Sequence, residues 1–309
     1  MAKLFITLKA DKISRNYNMQ AVAFIKDVIK SIDPIEYEKL YHYNDNGVVR
    51  ANKKPKPFCI GVKPYNYLKT KEEMEKQKQN KEKLYEAEGD MLKLKEGIFT
   101  IIVSAADKEL LQKMAEELKK SREAYKVAFG WNIAFDPVIK QEPYIKSGRI
   151  KIRTVTPIVV TDREGHLIDI EKEANKFNES LNYIMNQVFL AVFGRPLKKP
   201  INLMPVKDKD TKKYVYSIVK NTIKVDNFEG IIKGYCGRFY IAGDPEDINH
   251  IINLGIGFRR SQGYGMITLA PSEMVKIKLK KGKARFSDKG KNTNKQGNQK
   301  ANKQQKAKR

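Results

Sequence analysis

Apolar positions change period several times over residues 1–136. Leu4, Ile6 and Leu8 alternate with other residues at a period of two, as on a strand. Val22, Ile25, Ile29 and Ile32 then recur at three- and four-residue spacing, which predicts an amphipathic helix. Pro34 disfavours helical geometry in the residue before it, so the helix is expected to end near Asp33. Strands are expected around Phe58–Val62 and Gly97–Ser104, a helix over about 107–120 and a strand over about 126–135. Between the two middle strands, Lys69–Glu96 is highly charged and reads as a solvated hairpin extension or helical insertion.

The order strand, helix, two strands, helix, strand then returns in a looser form. FDPVIKQEPYIKSG, with two prolines and a Ser-Gly, reads as a connector, so 137–148 is taken as a linker and a second domain as 149–275. That domain opens on GRIKIRTVTPIVV, where basic and apolar residues alternate, followed by the turn DREGH. A helix is expected over about 171–193 and strands over about 201–206, 214–220 and 229–242. Asp244 suits the start of a short helix running to Leu254. A repeated α+β unit is the simplest account.

Charge narrows the possible partners. Lys and Arg number 61 against 36 Asp and Glu, a formal net charge of +25, which points to a polyanion, nucleic acid first. Residues 276–309 hold 14 Lys or Arg and one acid, Asp288, with few apolar residues to offset the entropy of ordering; a disordered basic tail is expected there. An anionic membrane is the weaker alternative, because the tail has no Trp or Leu face and carries no lipidation signal. No segment approaches the roughly 20 apolar residues needed to span a bilayer; even NYIMNQVFLAVFG is interrupted by Asn and Gln. The opening MAKLFITLKADK lacks the apolar core of a signal peptide. Cys59 and Cys236 sit in strand-like apolar settings without partner ligands; both are expected to be buried and reduced, in a cytoplasmic protein without a zinc site.

Chemistry concentrates after Leu254. In GIGFRRSQGYGMITL, Gly255, Gly257, Gly263 and Gly265 flank Arg259, Arg260, Ser261 and Gln262. Glycines leave main-chain N–H groups uncovered and arginines offer bidentate phosphate contacts, so the segment reads as a phosphate-binding loop. It is not a dinucleotide fingerprint, since Arg260 stands where the third glycine belongs, and it lacks the Gly-Lys-Ser/Thr ending of an NTPase loop.

The block EGIIKGYCGRFYIAGDPEDINHIINLGIGFRRSQGYGMITL resembles the signature of the CRISPR-associated endoribonuclease family of the RAMP superfamily, which processes precursor CRISPR RNA at its repeats. RTVTPIVVTDREG is similar to the opening of that family's second domain, and the N-terminal strand and helix suit its first. The resemblance implies two tandem ferredoxin-like, RRM-like domains, with the glycine loop facing the first helix. It implies an endoribonuclease that needs no metal or other cofactor and cleaves by attack of the RNA's own 2′-hydroxyl, leaving a 5′-hydroxyl and a 2′,3′-cyclic or 3′ phosphate. The implied partners are precursor and mature guide RNA and the subunits of an interference complex, for a chain that is a monomer or homodimer.

Such chemistry needs a base, an acid and positive charge at the phosphate. His42, in KLYHYNDNGVVRANKKPKP, which reads as a loop after the first helix, is the leading catalytic candidate, and it matches the region where the family places its histidine. His166 reads as a turn residue and His250 as a helix residue held in reserve. Lys26 stands where some members carry tyrosine and borders the apolar stripe of the first helix. Tyr43 and Lys54 complete the catalytic candidates, and Tyr41, Lys53 and Lys56 flank the same segment. Expected RNA contacts are Arg149, Lys151 and Arg153 on the basic strand and Gly255, Gly257, Arg259, Arg260, Ser261, Gln262 and Gly263 in the loop. The competing reading is a related protein that holds guide RNA without cutting it.

Overall fold

The computed structural model describes residues 1–45, 48–67, 84–225 and 228–274. The expected basic tail over 276–309 lies outside the described residues, as does much of the charged stretch after Lys69. Residues Met1–Thr268 form one compact unit, which contains two sheets built on the same plan.

In the first sheet the strand order from edge to edge is Val138–Gln141, Ala2–Lys9, Ile98–Ala105, Phe58–Lys63, with each neighbouring pair antiparallel. Numbered along the chain that order is 4-1-3-2, with helices Tyr17–Ile32 and Lys108–Lys120 filling the two crossovers: the ferredoxin-like βαββαβ arrangement. Alternation on the first strand decides what each face meets. Leu4, Ile6 and Leu8 join Phe24, Ile25, Val28 and Ile29 of the first helix in the main core. Phe5, on the opposite face, packs with Cys59, Ile102, Val155 and Met266, so apolar contact ties this sheet to residues of the second half.

The second sheet repeats the order, as Asn202–Pro205, Phe228–Ala242, Arg149–Thr154, Ile267–Leu269, with helices Ala174–Phe193 and Pro245–Leu254 in the crossovers. An added strand, Tyr216–Val225, pairs with Phe228–Ala242 over ten residues as a long hairpin. Capping explains the start of the last helix: the Asp244 carboxylate accepts from the backbone N–H groups of Glu246 and Asp247, and Pro245 occupies the first turn.

Three stretches differ from the sequence expectation. The expected strand over 126–135 is mostly helix, Arg122–Phe129, followed by the two-residue strand Asn132–Ile133. Helical spacing brings Tyr125 and Phe129 onto Phe24, with Trp131 stacked on Phe129, and Gly130 closes the helix in the left-handed region. The expected linker contributes the edge strand Val138–Gln141, because its backbone N–H and C=O groups find partners along Ala2–Phe5 and its two prolines fall just outside it. The segment carrying His42 is ordered rather than a loop. Asp33 caps a second helix, Pro34–Tyr41, by accepting from the Glu36 N–H, and His42–Asp45 then pairs with Val48–Ala51. Within the charged insertion, Tyr85–Glu88 and Met91–Leu94 form a hairpin, the first of the two forms expected.

Candidate active site

A cavity of about 660 Å³ opens between the first helix, the segment Tyr41–Lys56, the helix Ala174–Phe193 and the glycine-rich loop. One wall is made by short polar tethers. The Asn52 side chain donates to the Lys39 carbonyl, its oxygen accepts from the Lys54 N–H, and its backbone N–H donates to the Tyr41 carbonyl at 2.7 Å. The Lys56 ammonium donates to the Asn52 carbonyl at 2.8 Å and to the Leu40 carbonyl, fastening the strand-to-loop connection onto the end of the second helix. The Tyr41 ring lies between two cations, with Lys26 Nζ 4.5 Å and Lys56 Nζ 5.2 Å from its centroid. Burial, then repulsion from Lys26, pushes the Lys56 ammonium down to about 8, while burial pushes the Tyr41 phenol up.

His42 lines this cavity together with Lys26, Lys53 and Lys54. Its Nδ1 lies 2.7 Å from Glu38 Oε2, one helical turn back, and its ring meets that of Tyr37 edge-on. Nε2 is therefore the nitrogen left for a substrate. Tyr43 is not brought to the same place. Successive residues of a strand face opposite ways, and Tyr43 lines a neighbouring cavity with Asn52, Lys53 and Lys54.

Backbone geometry builds the opposite wall. Ile256 donates to the Gly265 carbonyl at 2.8 Å, Gly265 to the Pro157 carbonyl at 2.7 Å and Phe258 to the Val159 carbonyl at 2.9 Å. A Cβ at Gly257 would stand 2.5 Å from the Val159 carbonyl oxygen, and one at Gly265 would stand 2.1 Å from that of Ile256, so only glycine permits these approaches. Gly255 and Gly263 serve packing in the same way, facing Cys59 Sγ and the Asn18 side chain. Between them, Arg259, Arg260, Ser261 and Gln262 reach the cavity wall.

The two arginines differ. Arg259 is exposed, adopts φ +59 and donates to the Gln262 side chain at 2.9 Å. Arg260 is only 5% exposed; its guanidinium donates to the Leu254 carbonyl at 2.5 Å and to the Lys56 carbonyl at 3.3 Å. Burial pushes it down to about 10, so it stays charged at neutral pH. Expected as a phosphate ligand, Arg260 instead spends its donors on two backbone carbonyls and joins the two walls.

The basic strand is a separate surface. Arg149 and Lys151 both lie over the Tyr240 ring, at 5.0 and 5.1 Å, and Arg153 donates to the Tyr67 hydroxyl at 3.2 Å; none of the three lines the cavity. The other histidines are also elsewhere. His250 packs on Phe193 at 4.3 Å, where burial pushes it down despite Glu246, and His166 closes an exposed turn, with its backbone N–H donating to Asp162. Asp162, Glu164 and His166 place ligand atoms within 4.8 Å of one another, an arrangement that exposed turns commonly show without an ion, outside the His42 cavity. Cys59 is buried as expected, and its thiol donates to the Tyr264 carbonyl; Cys236 is only partly buried, and both are free. No helix among the described residues is long and apolar enough to cross a membrane.

Sequence reasoning missed Tyr183 and Gln187, which line the cavity from the helix of the second half. Their only signal is an aromatic and an amide four residues apart on the exposed face of the helix.

The family model described as "CRISPR associated protein Cas6, C-terminal" matches residues 140–269. No curated protein sequence matches the chain. Among solved structures, the chain is similar to that of a Cas6-related gene from Pyrococcus furiosus, at 17% identity and TM-score 0.62 over 88% of this chain and 98% of that one. It is also similar to a RAMP protein binding different RNA substrates, at 16% identity and TM-score 0.60 over 87% of this chain and all of that one. A Cas6 product complex aligns at 11% identity and TM-score 0.53 over 87% and 99% of the two chains. These likenesses show a shared double ferredoxin-like fold over nearly nine-tenths of the chain, and within it residues 140–269 match the model of the Cas6 C-terminal region.

Proposed function

We propose that the protein binds CRISPR repeat RNA in the His42 cavity and cuts precursor CRISPR RNA there without a metal ion. The observation that carries this reading is convergence. Of the three histidines, His42 alone shares a cavity with Lys26, Lys53, Lys54 and Lys56, and Arg259 joins them there from the other end of the sequence; His166 lines a different cavity, with Lys220, Lys233 and Arg259. The match of residues 140–269 to the Cas6 C-terminal family model and the likeness to a Cas6 product complex support RNA as the ligand.

In the reaction, the 2′-oxygen attacks the adjacent phosphorus, its proton passes to a base and the P–O5′ bond breaks. The departing 5′-oxygen takes up a proton, which leaves a 2′,3′-cyclic phosphate and a 5′-hydroxyl. His42, oriented through Nδ1 by Glu38, exchanges a proton through Nε2. The lysines and Arg259 stabilise negative charge on the phosphate oxygens at the transition state.

The test is cleavage of a labelled repeat RNA in excess EDTA, with a second substrate carrying a 2′-deoxy nucleotide just upstream of the cut. Site-specific cutting in EDTA that the 2′-deoxy nucleotide abolishes is the expected result. Tight binding without cutting makes the protein a holder of guide RNA, and cutting that requires added metal removes the proposed mechanism.

A further inference from the structure

Two aromatic side chains at the mouth of the cavity have no place in proton transfer or charge stabilisation. Tyr183 is 67% exposed and Phe258 is 40% exposed, and neither ring is stacked on another aromatic side chain among the described residues. Both belong to rigid supports. Tyr183 lies midway along a 20-residue helix whose Leu181, Ile184 and Met185 are buried, and Phe258 is fixed by its N–H bond to the Val159 carbonyl beside Gly257. Water-facing rings on a fixed frame are suited to a flat partner.

The same pair also lines a second cavity of about 430 Å³, which His42 does not line. Thr161, Asp162, Arg163, Glu179, Ser180 and Ile184 complete its lining. Tyr183 and Phe258 thus line both a cavity carrying cations and a histidine and a cavity carrying two carboxylates, two hydroxyls and Arg163. Glu179, Tyr183 and Gln187 lie four residues apart along one helix face, so a single stripe runs from one cavity into the other. Asp162 Oδ1 already accepts from the His166 N–H at 2.8 Å, whereas Glu179 makes no hydrogen bond or ion pair among the described residues.

We propose, on the RNA-cleavage reading above, that Tyr183 and Phe258 clamp one nucleobase swung out of the strand beside the scissile phosphate, with its polar edge turned toward Glu179 and Ser180. The two cavities meet this requirement from opposite sides. A phosphate held by lysines and Arg259 belongs in the first cavity, because the carboxylates of the second would repel it. A base carries no charge, stacks on aromatic rings and offers N–H groups to carboxylates, so it belongs in the second. A free carboxylate accepts from the exocyclic amine of cytosine or adenine, or from the N1 and N2 hydrogens of guanine. Uracil offers one N–H between two carbonyl oxygens, which a carboxylate repels. The site therefore selects against uracil at one nucleotide near the cut.

The experiment uses the full chain and a labelled CRISPR repeat RNA made uncleavable by a 2′-deoxy nucleotide at the cut, with a single abasic residue moved through the flanking positions. One abasic position is expected to weaken binding to the wild type by about 5- to 150-fold, the range for loss of one stacked base. In Tyr183→Ala or Phe258→Ala the same position costs less than about twofold, and Tyr183→Phe restores the sensitivity. With uracil at that position, Glu179→Gln recovers most of the affinity that the wild type loses. Both rings are exposed, so matching circular dichroism and melting curves are expected for all variants. If every abasic penalty is the same in the wild type and in Tyr183→Ala, the clamp is overturned while the RNA reading survives. If the wild type binds no repeat RNA, both fall together.

Discussion

The two walls of the cavity are built in opposite ways. On the glycine-loop side, backbone carbonyls approach positions that admit no Cβ, and the buried Arg260 guanidinium spends its donors on main-chain oxygens. On the His42 side, the groups that matter are exposed or half-exposed side chains placed by short tethers from Asn52 and Lys56. The proposed chemistry therefore falls on the more open wall, and the rigid wall would supply a fixed surface against which a phosphate can be held. Changes on one side should alter rate, and changes on the other should alter folding or binding.

The largest expected effect tests the open wall. His42→Ala should slow cleavage by about 10²–10⁴ while RNA affinity stays within about twofold, in single-turnover and equilibrium binding assays. Equal losses in binding and rate would make His42 a contact rather than a proton carrier. Arg260→Ala tests the rigid wall. Leaving the Leu254 and Lys56 carbonyls without their donor should lower stability by about 2–4 kcal/mol, read from urea unfolding, and rate should fall in step with the folded fraction. Arg259→Ala, at the exposed neighbour, should leave the unfolding midpoint unchanged. It should weaken RNA binding by about tenfold or less and reduce the slope of log affinity against log salt by about 0.9. If the two arginine variants behaved alike, the division of labour inside the loop would be wrong.

A smaller effect lies in the pH dependence of Lys56. Its ammonium is held down to about 8 in the folded protein against 10.5 as the ordinary value, so the unfolded chain binds more protons between those pH values. The burial of this charge opposes folding below about pH 8, and that penalty is relieved as pH rises through the window. Attraction for phosphate moves the other way, because the charge is lost. RNA affinity should fall a few-fold from pH 7 to 9, and Lys56→Arg, which does not lose its proton, should flatten the profile. An unchanged slope in Lys56→Arg would place the titration elsewhere.

Much of the fold was legible because it follows local rules. Period-two alternation marked Leu4, Ile6 and Leu8, helical spacing marked Val22 to Ile29, and Asp244 marked a helix start. The helix Arg122–Phe129 was misread because Tyr125 and Phe129 suit a strand or a helix equally until Phe24 is present to receive them. The strand Val138–Gln141 was read as a connector because its only reason to be extended is the free edge of Ala2–Phe5, more than a hundred residues away.

By itself the sequence determined a basic, twice-repeated α+β chain, a glycine-rich loop that lets backbones approach closely, and one histidine in a lysine-rich segment. These depend on composition and on neighbours within a few residues. Tertiary structure alone decided that Arg260 is a buried tether and Arg259 an exposed cation, that Tyr43 faces away from His42, and that Tyr183 shares their cavity. Adjacent residues of one type are indistinguishable in sequence; they part company only when the packing of distant segments buries one and leaves the other in water.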